Sequence, residues 1–195
     1  LFVWWMLEKN KKILKKIYFI LFFCFCLLIF DSLFQYFNGA NIFNMQPVAK
    51  DRISSFFGEE LKMGGFLMRL FPLLVALNFY FYRKNNKKQN FYFSTIFLIL
   101  LEITVFLSGE RTSFILFNFS ILLFLFFLNN FLKIKIFIFF ILFIVVSSLL
   151  TVDGPFKRRI VDLTIKNTKL VETGEKKYIF SKQYHEHYLS AWEMF

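Results

Sequence analysis

Long apolar runs alternate with short polar breaks along the chain. Five runs approach the length of about 20 residues that a bilayer-spanning helix needs. They are Ile17 to Phe34, Leu61 to Tyr82, Phe91 to Leu107, Thr112 to Leu128 and Ile136 to Val152, with Leu1 to Leu7 as the stub of an earlier one. In lipid each backbone N–H and C=O must be satisfied inside its own segment, so helices override the strand propensity of the many Phe and Ile. The expected fold is all-α: a polytopic transmembrane helix bundle over residues 1–152, then a long outer loop from 153 to 195. That tail is too long for a simple connector. Its "SKQYHEHYLSAWEMF" stretch has helical spacing, with Tyr184, Tyr188, Ala191 and Met194 or Phe195 on one face. The chain opens in mid-run at Leu1 and closes on "AWEMF", and is expected to be a piece of a longer protein.

The polar breaks set the orientation. Glu8 to Lys16 holds Lys9, Lys11, Lys12, Lys15 and Lys16; Arg83 to Asn90 holds Arg83, Lys84, Lys87 and Lys88; Asn129 to Lys135 holds Lys133 and Lys135. Glu8 is the one acid among them, whereas the intervening breaks are mixed in sign. The positive-inside rule makes the lysine-rich side cytoplasmic. Residues 37–60, the tight turn "SGER" at Ser108 to Arg111, and the tail from Asp153 then face outward.

Composition agrees with a lipid environment. Hydrophobic residues make up 57% of the chain, against about 45–50% in a soluble domain, and mean hydropathy is +0.55. The 33 Phe, with many Lys, Asn and Ile, read partly as the codon bias of an AT-rich genome. The net charge of +11 sits in the breaks, which favours membrane orientation over nucleic acid as its purpose. Cys24 and Cys26, two residues apart in an apolar run, read as small buried hydrophobes rather than a disulfide or metal site. The chain contains no P-loop, no Rossmann glycine pattern and no HExxH.

Ionisable groups inside a span are costly and usually face a bundle interior or a wet cavity. Arg69 is roughly 12 Å from the outer end of its run, and Glu102 roughly 8 Å. Comparable depth in neighbouring helices predicts a structural pair between Arg69 and Glu102, beside which a direct catalytic role for Glu102 stays open. Glu59, Lys62, Phe66 and Arg69 are spaced as one helical stripe. Gly64 and Gly65 invite close approach of a helix or ligand. With Arg52 before and Arg111 on the next outward turn, Lys62 and Arg69 predict a basic cluster at the outer end. Arginine grips phosphate oxygens in pairs, so the expected ligand is an anionic headgroup such as a lipid-linked diphosphate. Glu110 reads as an acid near a helix start.

"RISSFFGEELKMGGFLMRLFPLL" resembles the O-antigen polymerase and O-antigen ligase family of bacterial polytopic membrane proteins. The residues that carry the likeness are Arg52, Phe57, Gly58, Glu59, Glu60, Gly64, Gly65, Leu67, Arg69 and Pro72. "SGERTSF" resembles the family's Ser-Gly-x-Arg opening a helix on the outer side. "LFQYFNGANIF", "RRIVDLT" and "HEHYLSAWEMF" also look like polymerase-type members. Ser55 stands where the family pattern has glycine, and the family's outer loop continues beyond the point where this chain ends.

The resemblance implies a glycosyltransferase of the bacterial inner membrane, working at its periplasmic face on undecaprenyl-diphosphate-linked oligosaccharide. Polymerisation of O-antigen or related repeat units is the expected reaction, with ligation of the chain to lipid A-core as the alternative. No cofactor or metal is implied; membrane lipid and a chain-length regulator protein are the implied partners. The diphosphate would be held by Arg52, Arg69, Arg111 and Lys62, with Arg69 and Arg111 stabilising the leaving group. The general base is left open between His185, His187 and a residue beyond Phe195, and Arg158 and Arg159 read as a juxtamembrane anchor. A lipid-linked glycan transporter is the rival class. It calls for polar groups through the midplane, and the inner halves of these runs hold no ionisable residue away from their cytoplasmic ends.

Overall fold

A computed structural model describes residues 11–47, 49–82, 88–127, 132–151, 154–163, 165 and 190–193. Among them the regular structure is helical and there is no strand; one isolated bridge joins Ala49 and Arg52. The long helices are α1 (Lys11–Asn38), α2 (Met63–Tyr82), α3 (Lys88–Leu107), α4 (Arg111–Phe127) and α5 (Leu132–Thr151). A single 3-10 turn spans Ser55–Phe57, and after α5 the short α6 (Pro155–Lys157) runs into a π-helical turn at Arg158–Asp162.

The helices overrun the apolar stretches that predict them. Lysines and asparagines at the ends are tolerated by a helix although they are not apolar, so α1 begins six residues before Ile17 and ends four after Phe34. The stripe from Glu59 to Arg69 is corrected in the other direction. Helix α2 starts only at Met63, so Glu59 and Lys62 belong to the loop before it. Leu1 to Leu7 lies outside the described residues. Among the described residues, Lys12–Asn38 is long and apolar enough to cross a membrane; Met63–Asn78, Ser94–Leu107, Arg111–Phe126 and Ile136–Leu149 are shorter apolar helices.

Successive helices run antiparallel. At one end of the bundle Tyr18 of α1 packs on Phe81 of α2, and Phe22 on Phe97 of α3. At the other, the Ser32 hydroxyl of α1 reaches the Met63 sulfur at the start of α2, and Phe106 of α3 meets Phe114 of α4. Between them lies one core. Leu67, Phe71, Leu74 and Leu77 line the inner face of α2 at helical spacing, against Leu101 and Val105 of α3 and Phe114, Phe117, Ile121 and Leu125 of α4. Phe71 and Phe117 meet at 4.6 Å between ring centres. The outward faces stay apolar: Phe19, Phe23 and Phe30 of α1 and Phe139, Phe140 and Phe143 of α5 are exposed.

The end where α1 finishes and α2 and α4 begin, here the turn end, carries the irregular chain. Two polar knots order it. Asp31, Gln35 and Asn41 all bind Ser55: Ser55 Oγ donates to Asp31, Ser55 N–H donates to Gln35 Oε1 at 2.8 Å, and Asn41 Nδ2 donates to the Ser55 carbonyl at 3.1 Å. The second knot is built around the turn between α3 and α4.

Candidate functional site

Ser108, Gly109 and Glu110 reverse the chain between α3 and α4. Gly109 has φ 65°, a left-handed conformation that glycine adopts without steric cost, and its N–H closes the turn on Phe106 O at 3.0 Å. A Cβ at Gly109 would also meet Asp51 O, Arg52 Cγ and Arg159 Cδ. The position must therefore be glycine twice over: for its backbone and for the two arginine side chains that flank it.

The Glu110 carboxylate reaches across to the start of α2. It accepts the backbone N–H groups of Gly64 and Gly65, each at 2.9 Å, and the Ser113 hydroxyl at 2.7 Å. These two N–H groups lie in the first turn of α2, where no carbonyl of the helix itself can accept them. A Cβ at Gly64 would run into the Ser108 hydroxyl, and one at Gly65 would lie 3.3 Å from a Glu110 oxygen. The "GG" and the "SGE" of the sequence are thus two halves of one joint. Glu110, read as an acid near a helix start, does precede α4 and accepts Ser113 of its first turn, and it also caps a second helix, α2.

Around the joint the arginines gather. Arg52 is half-buried; its Nε and Nη2 point at Ser108 O and Leu61 O, both at 3.4 Å, long for such bonds. Arg159 donates Nε to Gly109 O at 3.1 Å and Nη1 to the Asp51 carboxylate at 2.8 Å. Arg111, half-buried at the start of α4, makes no hydrogen bond or ion pair among the described residues and lies within electrostatic reach of Arg52. Burial lowers the Arg52 pKa below its ordinary value, and the positive charges of Arg159 and Arg111 lower it further against the opposing pull of Glu110 and Asp51. The guanidinium groups therefore repel one another at a site with donors to spare, an arrangement that an anion relieves.

Of the residues expected at this site, Arg52 and Arg111 come together. Lys62 is exposed and paired with Glu60 at 3.0 Å. Arg69 is exposed on α2, makes no hydrogen bond or ion pair among the described residues, and is not among the charges acting on Arg52. The expected pair of Arg69 with Glu102 does not form. Glu102 is fully buried and its Oε1 accepts Asn118 Nδ2 of α4 at 2.8 Å, while Oε2 has no hydrogen-bond partner among the described residues. The two helices offer comparable depth but opposite faces: Arg69 points out of the bundle and Glu102 into it. His185 and His187 lie outside the described residues.

Arg159 is the residue that sequence reasoning placed elsewhere, as a membrane anchor beside Arg158. Its partners are 50 and 108 positions away, so no local spacing connects them; shared sidedness with "SGER" was the available signal. Asp31 was visible by the same rule that singled out Glu102, an acid inside an apolar run. No family model, curated protein or solved structure matches the chain.

Proposed function

We propose that this chain is part of a multi-pass inner-membrane glycosyltransferase that uses undecaprenyl-diphosphate-linked glycan, and that the turn end holds the diphosphate at the periplasmic face. The observation that carries the proposal is the convergence of Arg52, Arg111 and Arg159 around the Ser108–Glu110 turn, three guanidinium groups against the two carboxylates of Glu110 and Asp51. The sequence likeness of "RISSFFGEELKMGGFLMRLFP" and "SGERTSF" to the O-antigen polymerase and ligase family supplies the reaction class.

Several features support a bilayer setting. Helices of 20 residues, as in α2, α3 and α5, are about 30 Å long, the thickness of a bilayer's hydrocarbon core. The exposed phenylalanines of α1 and α5 then face lipid tails. Exposed Arg69 lies six residues into α2, about 9 Å of helix, within reach of the headgroups by snorkelling.

In the reaction an acceptor sugar hydroxyl attacks the anomeric carbon of the donor glycan. The new glycosidic bond forms as the bond from that carbon to the diphosphate oxygen breaks. The hydroxyl proton passes to a base, and the electron pair stays on the departing lipid diphosphate. Charge grows on the diphosphate through the transition state, where fixed guanidinium groups stabilise it more than in the ground state. Polymerisation is the reading we favour, with ligation as its alternative.

The test uses the full-length protein in a strain lacking the native gene. Arg52→Ala, Arg111→Ala and Arg159→Ala should each abolish long O-chain ladders on a gel while the protein remains in the membrane. Arg69→Ala should leave the ladder in place. A polymerase defect leaves one repeat on lipid A-core, and a ligase defect leaves it bare. Normal ladders in all three cluster variants would falsify the diphosphate site.

A further inference from the structure

We propose that Asp51 is a built-in counter-anion of the arginine cluster, displaced from Arg159 when a diphosphate binds; this rests on reading the cluster as a diphosphate site. The Asp51 carboxylate occupies the Nη1 edge of Arg159 at 2.8 Å, where a phosphate oxygen would make the same charge-assisted bond. Arg159 is pinned independently through Nε to Gly109 O, so loss of Asp51 frees the Nη edge without freeing the side chain.

Two acids oppose the cluster's positive charge, Glu110 and Asp51, and they differ in commitment. Glu110 accepts three hydrogen bonds, two from the start of α2 and one from Ser113 of α4, and so joins α2 to the α3–α4 turn. Among the described residues the Asp51 carboxylate is hydrogen-bonded to Arg159 alone, and Asp51 sits in a loop beside the Ala49–Arg52 bridge. The side chains of Arg159 and Asp51 are 26% and 27% exposed, open enough for a ligand to reach. An ion pair at that exposure is weak. It is strong enough to quiet the empty site and weak enough to yield to a ligand with two or more negative oxygens. The apparent affinity for diphosphate is then reduced by the fraction of molecules with the pair closed.

The experiment is titration calorimetry of the full-length protein in lipid nanodiscs with inorganic pyrophosphate. Asp51→Asn, nearly isosteric, and Asp51→Ser are both expected to bind roughly two- to fivefold more tightly than wild type. Adding Arg159→Gln to Asp51→Asn should remove the gain. No gain in either Asp51 variant, while Arg52→Gln and Arg159→Gln weaken binding, overturns the counter-anion role and leaves the diphosphate site standing. A loss of binding in both Asp51 variants overturns it too, since that marks Asp51 as a ligand contact. No pyrophosphate binding by wild type, or binding that Arg52→Gln and Arg159→Gln leave unchanged, overturns both proposals. Farnesyl diphosphate in parallel separates the sources: tighter binding than pyrophosphate marks a lipid-linked donor, equal binding a free diphosphate. The Asp51 gain is expected in both arms.

Discussion

Ser55 holds a left-handed backbone, φ 52°, that a glycine takes without strain. Its hydroxyl donates to one oxygen of buried Asp31, whose other oxygen accepts Ile42 N–H at 3.0 Å. Two effects compete on substitution. Glycine relieves about 1 kcal/mol of left-handed strain, but it strips a buried carboxyl oxygen of its donor, which costs about 1–3 kcal/mol. Alanine keeps the strain and loses the bond. The expected order of melting temperature in detergent is therefore wild type, then Ser55→Gly, then Ser55→Ala, with about 1 kcal/mol between the two variants. A Ser55→Gly protein that melts above wild type would show that the Asp31 bond contributes less than the strain that serine carries.

At the scale of elements, α2 depends on an acid from another part of the chain. Its first-turn N–H groups at Gly64 and Gly65 are satisfied by Glu110, and the glycines leave no side chain between the two segments. Hydrogen bonds to a charged partner contribute about 1.5–3 kcal/mol each. Glu110→Gln retains one acceptor oxygen and should cost about 1–3 kcal/mol, whereas Glu110→Ala, which loses both cap bonds, should cost about 3–6 kcal/mol. Amide hydrogen exchange at Gly64 and Gly65 should accelerate in the same order, ahead of exchange in the middle of α2. Equal exchange in wild type and Glu110→Ala would remove the cap. The helices themselves were legible in the sequence, because an apolar run of this length has one low-energy form. Their ends were less so, since hydropathy marks where lipid would lie and not where the helix stops. Which faces meet was least legible. Arg69 and Glu102 agree in depth yet diverge in azimuth, and depth is all that position in a run records. Asn118, the real partner of Glu102, is an uncharged residue in a run of Phe, Leu and Ile, and no charge pattern points to it.

For the whole molecule, the separation of charge along the bundle sets the orientation expected in the proposed membrane setting. The lysines of α1 lie in its first turns, at the end where Tyr18 meets Phe81. The arginine cluster lies at the other end, beyond Leu107 and before Met63. A chain inserted with its lysines in the cytoplasm delivers the cluster to the periplasm, where lipid-linked glycan is elongated in the proposed reaction. The antiparallel order means one helix fixes the rest, so two probe sites suffice. In a Cys24→Ala, Cys26→Ala background, Gln46→Cys sits in the exposed loop at the turn end and Lys16→Cys is exposed near the start of α1. A membrane-impermeant maleimide applied to intact spheroplasts should label Gln46→Cys and spare Lys16→Cys until the membrane is permeabilised. Labelling of Lys16→Cys alone would invert the bundle and put the arginines on the cytoplasmic side, where a periplasmic polymerase could not use them. Labelling of both in intact spheroplasts would mean that the helices do not cross the bilayer, and the exposed phenylalanines of α1 and α5 would then need a protein partner in place of lipid.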